Sequence, residues 1–182
     1  MYGVIHGGVD KNLRKLSAAY LTSLPFDGFA IGGSLGRDSA ELLELLVFLM
    51  PLLPTEKPNH LLGIGDVPSI EGAVPLGVDT FDSTFPTRNA RHGSLLLRNN
   101  GDINNGTSTR SVNVLRAEYS SNFSPPCTEC ECALCANHTF SYLHHLFKAN
   151  EPNAVTLAAT HNLHHMGWLM GEKRKAILRN EI

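Results

Sequence analysis

The chain of 182 residues is long enough to form one domain with a sizeable core, and its hydrophobic fraction of 42% is ordinary for a soluble protein. A formal net charge of −2 excludes a global positive field that would attract nucleic acid or a membrane surface, so nucleic-acid binding would require a local patch. No apolar run reaches the roughly 20 residues of a membrane helix. The first ten residues carry no secretory signal, and together these features predict a cytoplasmic protein without a membrane partner.

Short apolar segments alternate with helical patterns along the first half of the chain. Strands are predicted at 1–6, 26–31, 60–64 and 78–81, and helices at 13–24, 38–48 and 69–76. This alternation predicts a parallel sheet with right-handed crossovers, whose C-terminal strand ends carry the chemistry. Four such strands fit half of a (β/α)8 barrel or a small doubly wound sheet, and the pattern alone does not separate the two.

The second half of the chain has a different pattern. Residues 94–98 and 111–116 flank a stretch rich in Asn, Gly, Ser and Thr, which predicts a hairpin with a long connection. A helix is predicted at about 139–149, and a final helix from about 154 towards 178.

All four cysteines lie within nine residues, at Cys127, Cys130, Cys132 and Cys135. A disulfide framework would be scattered along the chain, whereas clustered thiolates are typical ligands of a structural zinc ion. Two ligand sets are open: all four cysteines, or the last three with a distant histidine. The candidate histidines are His138, His144, His145, His161, His164 and His165.

Three segments of the first half resemble parts of one enzyme family, the tRNA-guanine transglycosylases. Residues 79–91 (DTFDSTFPTRNAR) resemble the segment that carries the nucleophile in that family. Residues 28–33 (GFAIGG) resemble the strand end that recognises the base, and residues 60–65 (HLLGIG) resemble another barrel strand. Their order and approximate spacing agree with the family as well.

The cysteine cluster extends this resemblance into the second half of the chain. The C-x-C-x-x-C spacing of Cys130, Cys132 and Cys135 matches the zinc motif of the family, and His161 falls where the fourth ligand lies. The resemblance therefore implies that these four residues bind Zn²⁺, with Cys127 as a spare neighbour.

The resemblance also implies the fold and the reaction. The fold is α/β: half of a (β/α)8 TIM barrel, with parallel strands and outer helices, that carries an inserted zinc-binding subdomain. The half-barrel falls at 1–93, the hairpin and zinc-binding subdomain at 94–152, and a C-terminal helix at 153–182. A stretch around 99–110 is longer than in the family. The implied reaction exchanges guanine at the wobble position of tRNA for queuine or a 7-deazaguanine precursor, in queuosine biosynthesis.

Asp82 occupies the position of the nucleophile in this resemblance. Base exchange breaks an N-glycosidic bond and rebuilds it with the same stereochemistry, which a carboxylate achieves by two displacements through a covalent intermediate. Asp82 directly follows a predicted strand, where a barrel presents catalytic groups, whereas Asp79 is expected to be structural. The resemblance also implies that His6, Gly32 and Gly33 contact the base, since glycines allow backbone groups to approach a purine edge.

The resemblance assigns two segments to RNA binding. Their residues are Gly63, Ile64, Gly65, Asp66, Val67, Pro68 and Ser69, and Thr87, Arg88, Asn89, Ala90 and Arg91. Arg88 and Arg91 can contact phosphates or stack on splayed bases. Residues 88–116 contain five arginines against Asp102, which is a local basic patch that the net charge does not reveal.

The chain departs from the family pattern in three respects. It is about half as long as the family's full chain, whose N-terminal half carries another catalytic aspartate. We therefore expect a fragment or split gene product that lacks full activity alone, with a complementing N-terminal half or a second copy in a homodimer as its partner. His6 stands where the family has a glutamine, and residues 34–38 replace a longer loop that runs to a glutamate. The choice among 7-deazaguanine bases therefore stays open.

Two other functions compete with the enzyme. One is a noncatalytic tRNA-binding or partner subunit of the same fold, against which the presence of Asp82 argues. The other is a zinc-ribbon-like nucleic-acid module fused to a small α/β domain.

Overall fold

The computed structural model describes residues 1–99 and 108–182. The chain divides into two compact units, Met1–Thr84 and Phe85–Ile182. Residues 100–107, which hold most of the predicted hairpin connection and Asp102, lie outside the described residues.

Parallel strands and helices alternate through the first unit. In chain order its elements are β1 (Tyr2–Ile5), α1 (Lys11–Thr22), β2 (Gly28–Ile31), α2 (Ser39–Leu49), β3 (Asn59–Leu61), α3 (Val67–Ala73) and β4 (Thr80–Phe81). The sheet order is β1-β2-β3-β4, and every neighbouring pair is parallel. The predicted parallel α/β pattern is therefore confirmed, although all four strands are shorter than predicted.

Each helix of the first unit begins at an aspartate. The side chain of Asp10 caps α1, that of Asp38 accepts a hydrogen bond from the amide of Glu41, and that of Asp66 accepts one from the amide of Ser69. Such N-caps stabilise a helix by about 1 kcal/mol. They also fix where the loops that follow β1, β2 and β3 end, and these loops carry the predicted site residues.

Strand β1 has one face packed in the core and one exposed face. Ile5, Ile31 and Leu61 are in register across three strands and are fully buried in the core that α2 covers. Tyr2 and Val4 alternate with Ile5 and are exposed. Because parallel sheets are normally covered on both faces, β1 presents an apolar surface that is open in this chain.

Helix α1 exposes the apolar residues whose spacing predicts it. Leu13, Leu16 and Tyr20 are all exposed, Leu16 by 68%. The buried face of the helix carries Ala18 and Arg14 instead. Periodicity predicts the helix correctly, but the helix turns its larger apolar side chains to the outside of the unit.

Arg14 is fully buried and links the ends of β1 and β2. Its guanidinium donates hydrogen bonds to three backbone carbonyls, those of Ile5 at 2.7 Å, Gly8 at 2.8 Å and Ser34 at 3.1 Å. These bonds satisfy the buried charge and hold two strand-end loops together.

Among its described residues, the second unit contains a hairpin and four α-helices. Its elements are α4 (Phe85–Arg91), β5 (Ser94–Arg98), β6 (Thr109–Asn113), α5 (Ala133–Asn137), α6 (Phe140–Lys148) and α7 (Pro152–Leu178). The antiparallel hairpin pairs Leu96 with Ser111. Of the helices in the described ranges, the 27-residue α7 included, none has the length and apolar character needed to cross a bilayer.

Helix α4 forms where the sequence indicates only a polar stretch. Pro86 lies in its first turn, where the missing N–H costs no hydrogen bond, and Pro86 and Ala90 are its buried residues. Two buried positions in seven residues are too few for a periodic signal, so the helix depends on its packing against α7.

Asn162 joins three elements of the second unit. Its side chain is fully buried, and its Oδ1 accepts a hydrogen bond from the amide of Leu96 at 2.9 Å. Its Nδ2 donates to the carbonyls of Pro86 and Ser94, each at 2.9 Å. These three bonds fix α7 to both α4 and β5.

Candidate functional site

Asp82 directly follows β4 and remains accessible. Its side chain is 60% exposed, and its Oδ1 accepts a hydrogen bond from the backbone amide of Gly63 at 3.0 Å. Nε2 of His60 lies 3.0 Å from the same oxygen. The Gly63 amide is the main cause of a lowered Asp82 pKa; slight burial opposes this, and His60 lowers the pKa further. Asp82 is therefore an ionised and exposed carboxylate, which is the form that a nucleophile requires.

His60 links Asp82 to the neighbouring strand. It lies on β3 opposite Thr80 of β4, and its Nδ1 is 2.8 Å from Oγ1 of Thr80. Parallel pairing therefore brings the side chains of positions 60, 80 and 82 to one face of the sheet. Sequence reasoning assigned no role to His60, although its position on the strand beside Asp82 was the available signal.

The residues predicted to contact the base lie together at the ends of β1 and β2. The amide of Gly32 donates to the carbonyl of Ile5 at 3.2 Å. A Cβ at Gly33, whose φ is +78°, would lie 3.1 Å from Nδ1 of His6, and a Cβ at Gly32 would lie 2.8 Å from a methyl group of Leu62. Both glycines therefore make room for a neighbouring side chain, and His6 packs against Gly33.

The predicted RNA-binding loop at 63–69 contains both exposed and structural residues. Gly63 is exposed, has a φ of +73° and donates its amide to Asp82. Asp66 caps α3, while Val67 and Ser69 are buried. Pro68 and Ile64 are exposed and partly exposed, respectively, and Gly65 is buried. The exposed positions are the ones that can face a ligand.

The second predicted RNA segment, 87–91, forms most of α4. Arg88 and Arg91 are exposed, and within the described part of the chain neither forms an ion pair. Thr87 and Asn89 are partly buried, and Nδ2 of Asn89 donates to the carbonyl of Phe85 at 2.8 Å. Ala90 is fully buried and anchors the helix.

Arg98, another arginine of the predicted basic patch, is engaged within the second unit. Its guanidinium lies 3.1 Å from a carboxylate oxygen of Glu129 and 4.6 Å from the ring centroid of Trp168. Arg116 lies 3.8 Å from Glu118. Two of the five arginines at 88–116 are therefore paired with glutamates, which leaves less positive charge available for RNA than the composition of this stretch indicates.

Three cysteines and one histidine form a buried cluster in the second unit. They are Cys130, Cys132 and Cys135, from α5 and the loop before it, and His161 of α7. The ligand atoms all lie within 4.8 Å of one another, with His161 Nδ1 at 3.8, 3.4 and 3.3 Å from the three sulfurs, respectively. A group of this size and composition can hold a metal ion.

The histidine of this cluster presents the nitrogen that a metal needs. Nε2 of His161 donates a hydrogen bond to the carbonyl of Leu96 at 2.9 Å. A carbonyl only accepts, so in the neutral ring the lone pair is on Nδ1, which faces the sulfurs. Burial lowers the pKa of His161 and so keeps the ring neutral.

Burial and backbone hydrogen bonds have opposite effects on the pKa of two thiols in the cluster. Burial raises the pKa of Cys130 and that of Cys135, so without a cation these thiols keep their protons. The backbone amides of Cys132 and Cys127 donate hydrogen bonds to these two sulfurs, respectively, which favours the thiolate form. Three thiolates and one imidazole nitrogen make a closed four-coordinate set of soft donors.

Cys127 lies outside the cluster, and two other candidate histidines have different partners. The ring of His144 donates to the carbonyl of Val114 at 2.8 Å, and Nε2 of His165 lies 2.9 Å from Oγ1 of Thr109. Of the two ligand sets open from the sequence, the geometry brings together the set that contains His161.

Known proteins match this chain along its whole length. The family model described as queuine tRNA-ribosyltransferase matches residues 1–182. A queuine tRNA-ribosyltransferase of Protochlamydia amoebophila is 52% identical over 177 residues, covering 97% of this chain and 43% of that protein. Those of Chlamydia felis and Chlamydia trachomatis are 46% and 45% identical over 183 residues, covering 100% of this chain and 46% of each protein. The chain therefore spans less than half the length of these curated relatives.

Proposed function

We propose that this chain is the nucleophile-bearing part of a tRNA-guanine transglycosylase. The premise is that the chain belongs to the queuine tRNA-ribosyltransferase family. The reaction is the exchange of guanine at the wobble position of tRNA for queuine or a 7-deazaguanine precursor. The observation that carries this proposal is the exposed, ionised carboxylate of Asp82 just past β4.

Asp82 performs the exchange in two displacements at C1′ of the ribose. In the first, a carboxylate oxygen forms a bond to C1′ while the bond from C1′ to guanine breaks and its electron pair leaves with guanine. In the second, a ring nitrogen of the incoming base attacks C1′ and the ester bond to Asp82 breaks. The incoming base loses one proton and the departing guanine gains one, so the exchange consumes no other reactant.

The remaining predicted residues bind the two substrates. His6 packs on Gly33 beside Gly32, which supports a base site at the ends of β1 and β2. Arg88 and Arg91 supply positive charge on one surface of α4, where phosphates or unstacked bases of the anticodon loop bind. The exposed positions of 63–69 contribute further contacts to the RNA.

The metal of the second unit is zinc in this proposal. Cys130, Cys132, Cys135 and His161 would hold it, and the soft, closed donor set fits this ion. When bound, zinc supplies a structural cross-link and no open position for catalysis. The four residues thereby fix the loop before α5, and α5 itself, to α7.

The open surface of the first unit supports a complementing partner. Tyr2 and Val4 of β1, and Leu13, Leu16 and Tyr20 of α1, are exposed apolar side chains at one edge of the sheet. We propose that the complementing N-terminal half of the family's barrel covers them and completes a (β/α)8 barrel. Assembly of two copies of this chain into a homodimer is the alternative outcome.

A cytoplasmic location stays a prediction.

A chimera tests the proposed function. This chain replaces the segment of the Protochlamydia amoebophila relative that it matches, and incorporation of labelled guanine into tRNA is measured. We expect exchange by the chimera and none by the 182-residue chain alone. Exchange by the chain alone would refute the need for a complementing half.

The same chimera separates the enzyme from a noncatalytic subunit. A chimera that binds tRNA but exchanges no base, while the unaltered relative does, would favour the tRNA-binding subunit. The exposed and ionised Asp82 favours the enzyme, because binding alone does not require this group.

A further inference from the structure

His60 is held at both ring nitrogens. Its Nε2 lies 3.0 Å from Oδ1 of Asp82, and its Nδ1 lies 2.8 Å from Oγ1 of Thr80. The ring is largely buried, with 20% of the side chain exposed, and Thr80 is its direct neighbour in the parallel register. The imidazole therefore has one orientation relative to Asp82.

The partners of His60 determine where its proton lies. An ionised carboxylate only accepts hydrogen bonds, so Nε2 carries a proton and donates it to Asp82. A threonine hydroxyl can donate or accept a hydrogen bond. The hydroxyl of Thr80 therefore donates to Nδ1 when the ring is neutral and accepts from the Nδ1–H when the ring is charged. The ring thus donates to Asp82 in either state.

These contacts make the two carboxylate oxygens of Asp82 different. Oδ1 accepts hydrogen bonds from the Gly63 amide and from His60, both at 3.0 Å. Oδ2 accepts none from any residue in the described ranges, although the side chain is 60% exposed. Hydrogen bonds withdraw electron density from Oδ1, so Oδ2 is the stronger nucleophile.

We propose that His60 is a positioning residue for Asp82, a role that rests on the proposed function of Asp82 as nucleophile. With Gly63 it holds Oδ1, and Oδ2 forms the bond to C1′ while the bond to guanine breaks. Oδ1 then becomes the carbonyl oxygen of the ester. When the second base displaces the ester, the electron pair returns to the carboxylate, and the two donors stabilise that charge.

Titration of the Asp82 carboxyl carbon by ¹³C NMR tests this arrangement in the 182-residue chain. His60→Phe keeps a ring but removes the donor, so the midpoint of the Asp82 titration should rise. His60→Gln restores an amide donor and should bring the midpoint back towards that of the unaltered chain. His92→Phe, which removes an exposed histidine of the second unit, should leave it unchanged.

An Asp82 midpoint that does not move in His60→Phe would overturn the proposal. If His60→Phe does not fold, Thr80→Val provides the same test, because it removes the anchor of the ring and should also raise the midpoint. An unchanged midpoint in folded Thr80→Val would then overturn the proposal.

The kinetic test uses the chimera with the Protochlamydia amoebophila relative. His60→Phe should slow formation of the covalent RNA adduct by about tenfold to a hundredfold, since misplaced reacting groups lose rate without losing binding. RNA affinity should stay the same. An adduct rate equal to that of the unaltered chimera would overturn the proposal, whereas failure of the proposed function itself would show as no adduct in the unaltered chimera.

Discussion

Nε2 of His161 donates a hydrogen bond to the carbonyl of Leu96 at 2.9 Å, and this bond turns Nδ1 towards three cysteine sulfurs. A strand of the hairpin thus sets the orientation of a ring on α7. This hydrogen bond sets the tautomer and the direction of the ring that a metal ligand requires.

Metal content should depend on His161 and not on Cys127. The purified chain should contain about one zinc ion per molecule, as closed Cys₃His sites do. His161→Ala removes a ligand and should lose the metal, whereas Cys127→Ser should retain it. Elemental analysis of the variants measures this, and zinc that is lost in Cys127→Ser but kept in His161→Ala would establish the four-cysteine set instead.

Asn162→Ala should strongly destabilise the second unit. It deletes three hydrogen bonds and leaves buried backbone groups unpaired, which predicts a loss of about 2–4 kcal/mol in the free energy of unfolding. Asn89→Ala is the matched control, since it deletes one hydrogen bond, to Phe85, and should cost about 1 kcal/mol. Urea unfolding of both variants provides the comparison, and equal losses would contradict the role of Asn162.

Stability should fall as His165 is forced to take up a proton. Burial lowers the pKa of His165 to about 4, from an ordinary value of 6.5. Between these values the unfolded chain binds a proton that the folded chain does not, so stability decreases as the pH falls from 6.5 towards 4. His165→Gln should remove this part of the pH dependence. Unfolding curves across that range test it, and identical slopes for both proteins would contradict it.

Arg88→Ala and Arg91→Ala should each weaken RNA binding and reduce its salt dependence. A side chain that neutralises one phosphate of a single strand contributes a slope of about −0.7 to the logarithm of affinity against the logarithm of salt concentration. Fluorescence anisotropy with an anticodon stem-loop measures this in the chimera. Arg179→Ala, at the end of α7, is the control and should leave the slope unchanged. Unchanged slopes in both α4 variants would remove this helix from the RNA site.

Much of the first unit follows from sequence pattern because its signals are local. Alternating apolar strands and helical spacing specify parallel β1–β4, and Asp38 with Glu41 specifies the start of α2. Which face of α1 is buried does not follow, because Arg14 fills the core side through three long-range carbonyl contacts. A periodic apolar pattern cannot reveal a buried guanidinium.

The site residues, too, include some that local sequence pattern predicts and others that depend on contacts between distant parts of the chain. The clustered cysteines predict a metal site but leave the ligand set open, and only the family resemblance singles out His161. In the structure His161 rather than His144 or His165 joins the cysteines, through contacts between residues that lie more than 25 positions apart in the sequence. His60 was missed for the same reason, since its bond to Asp82 exists only through strand pairing. Helix α4 was missed because it is short and stabilised by packing.

Capture of a covalent RNA adduct tests the central claim, the role of Asp82, most directly. The chimera is mixed with anticodon stem-loop RNA and resolved on a denaturing gel, with Asp82→Asn and Asp79→Asn alongside. Asp79 is the matched control because its carboxylate accepts a hydrogen bond from the Asn59 amide at 2.7 Å and has a structural role. The account predicts an adduct in the unaltered and Asp79→Asn proteins and none in Asp82→Asn, where RNA binding persists. An adduct that persists in Asp82→Asn would contradict it.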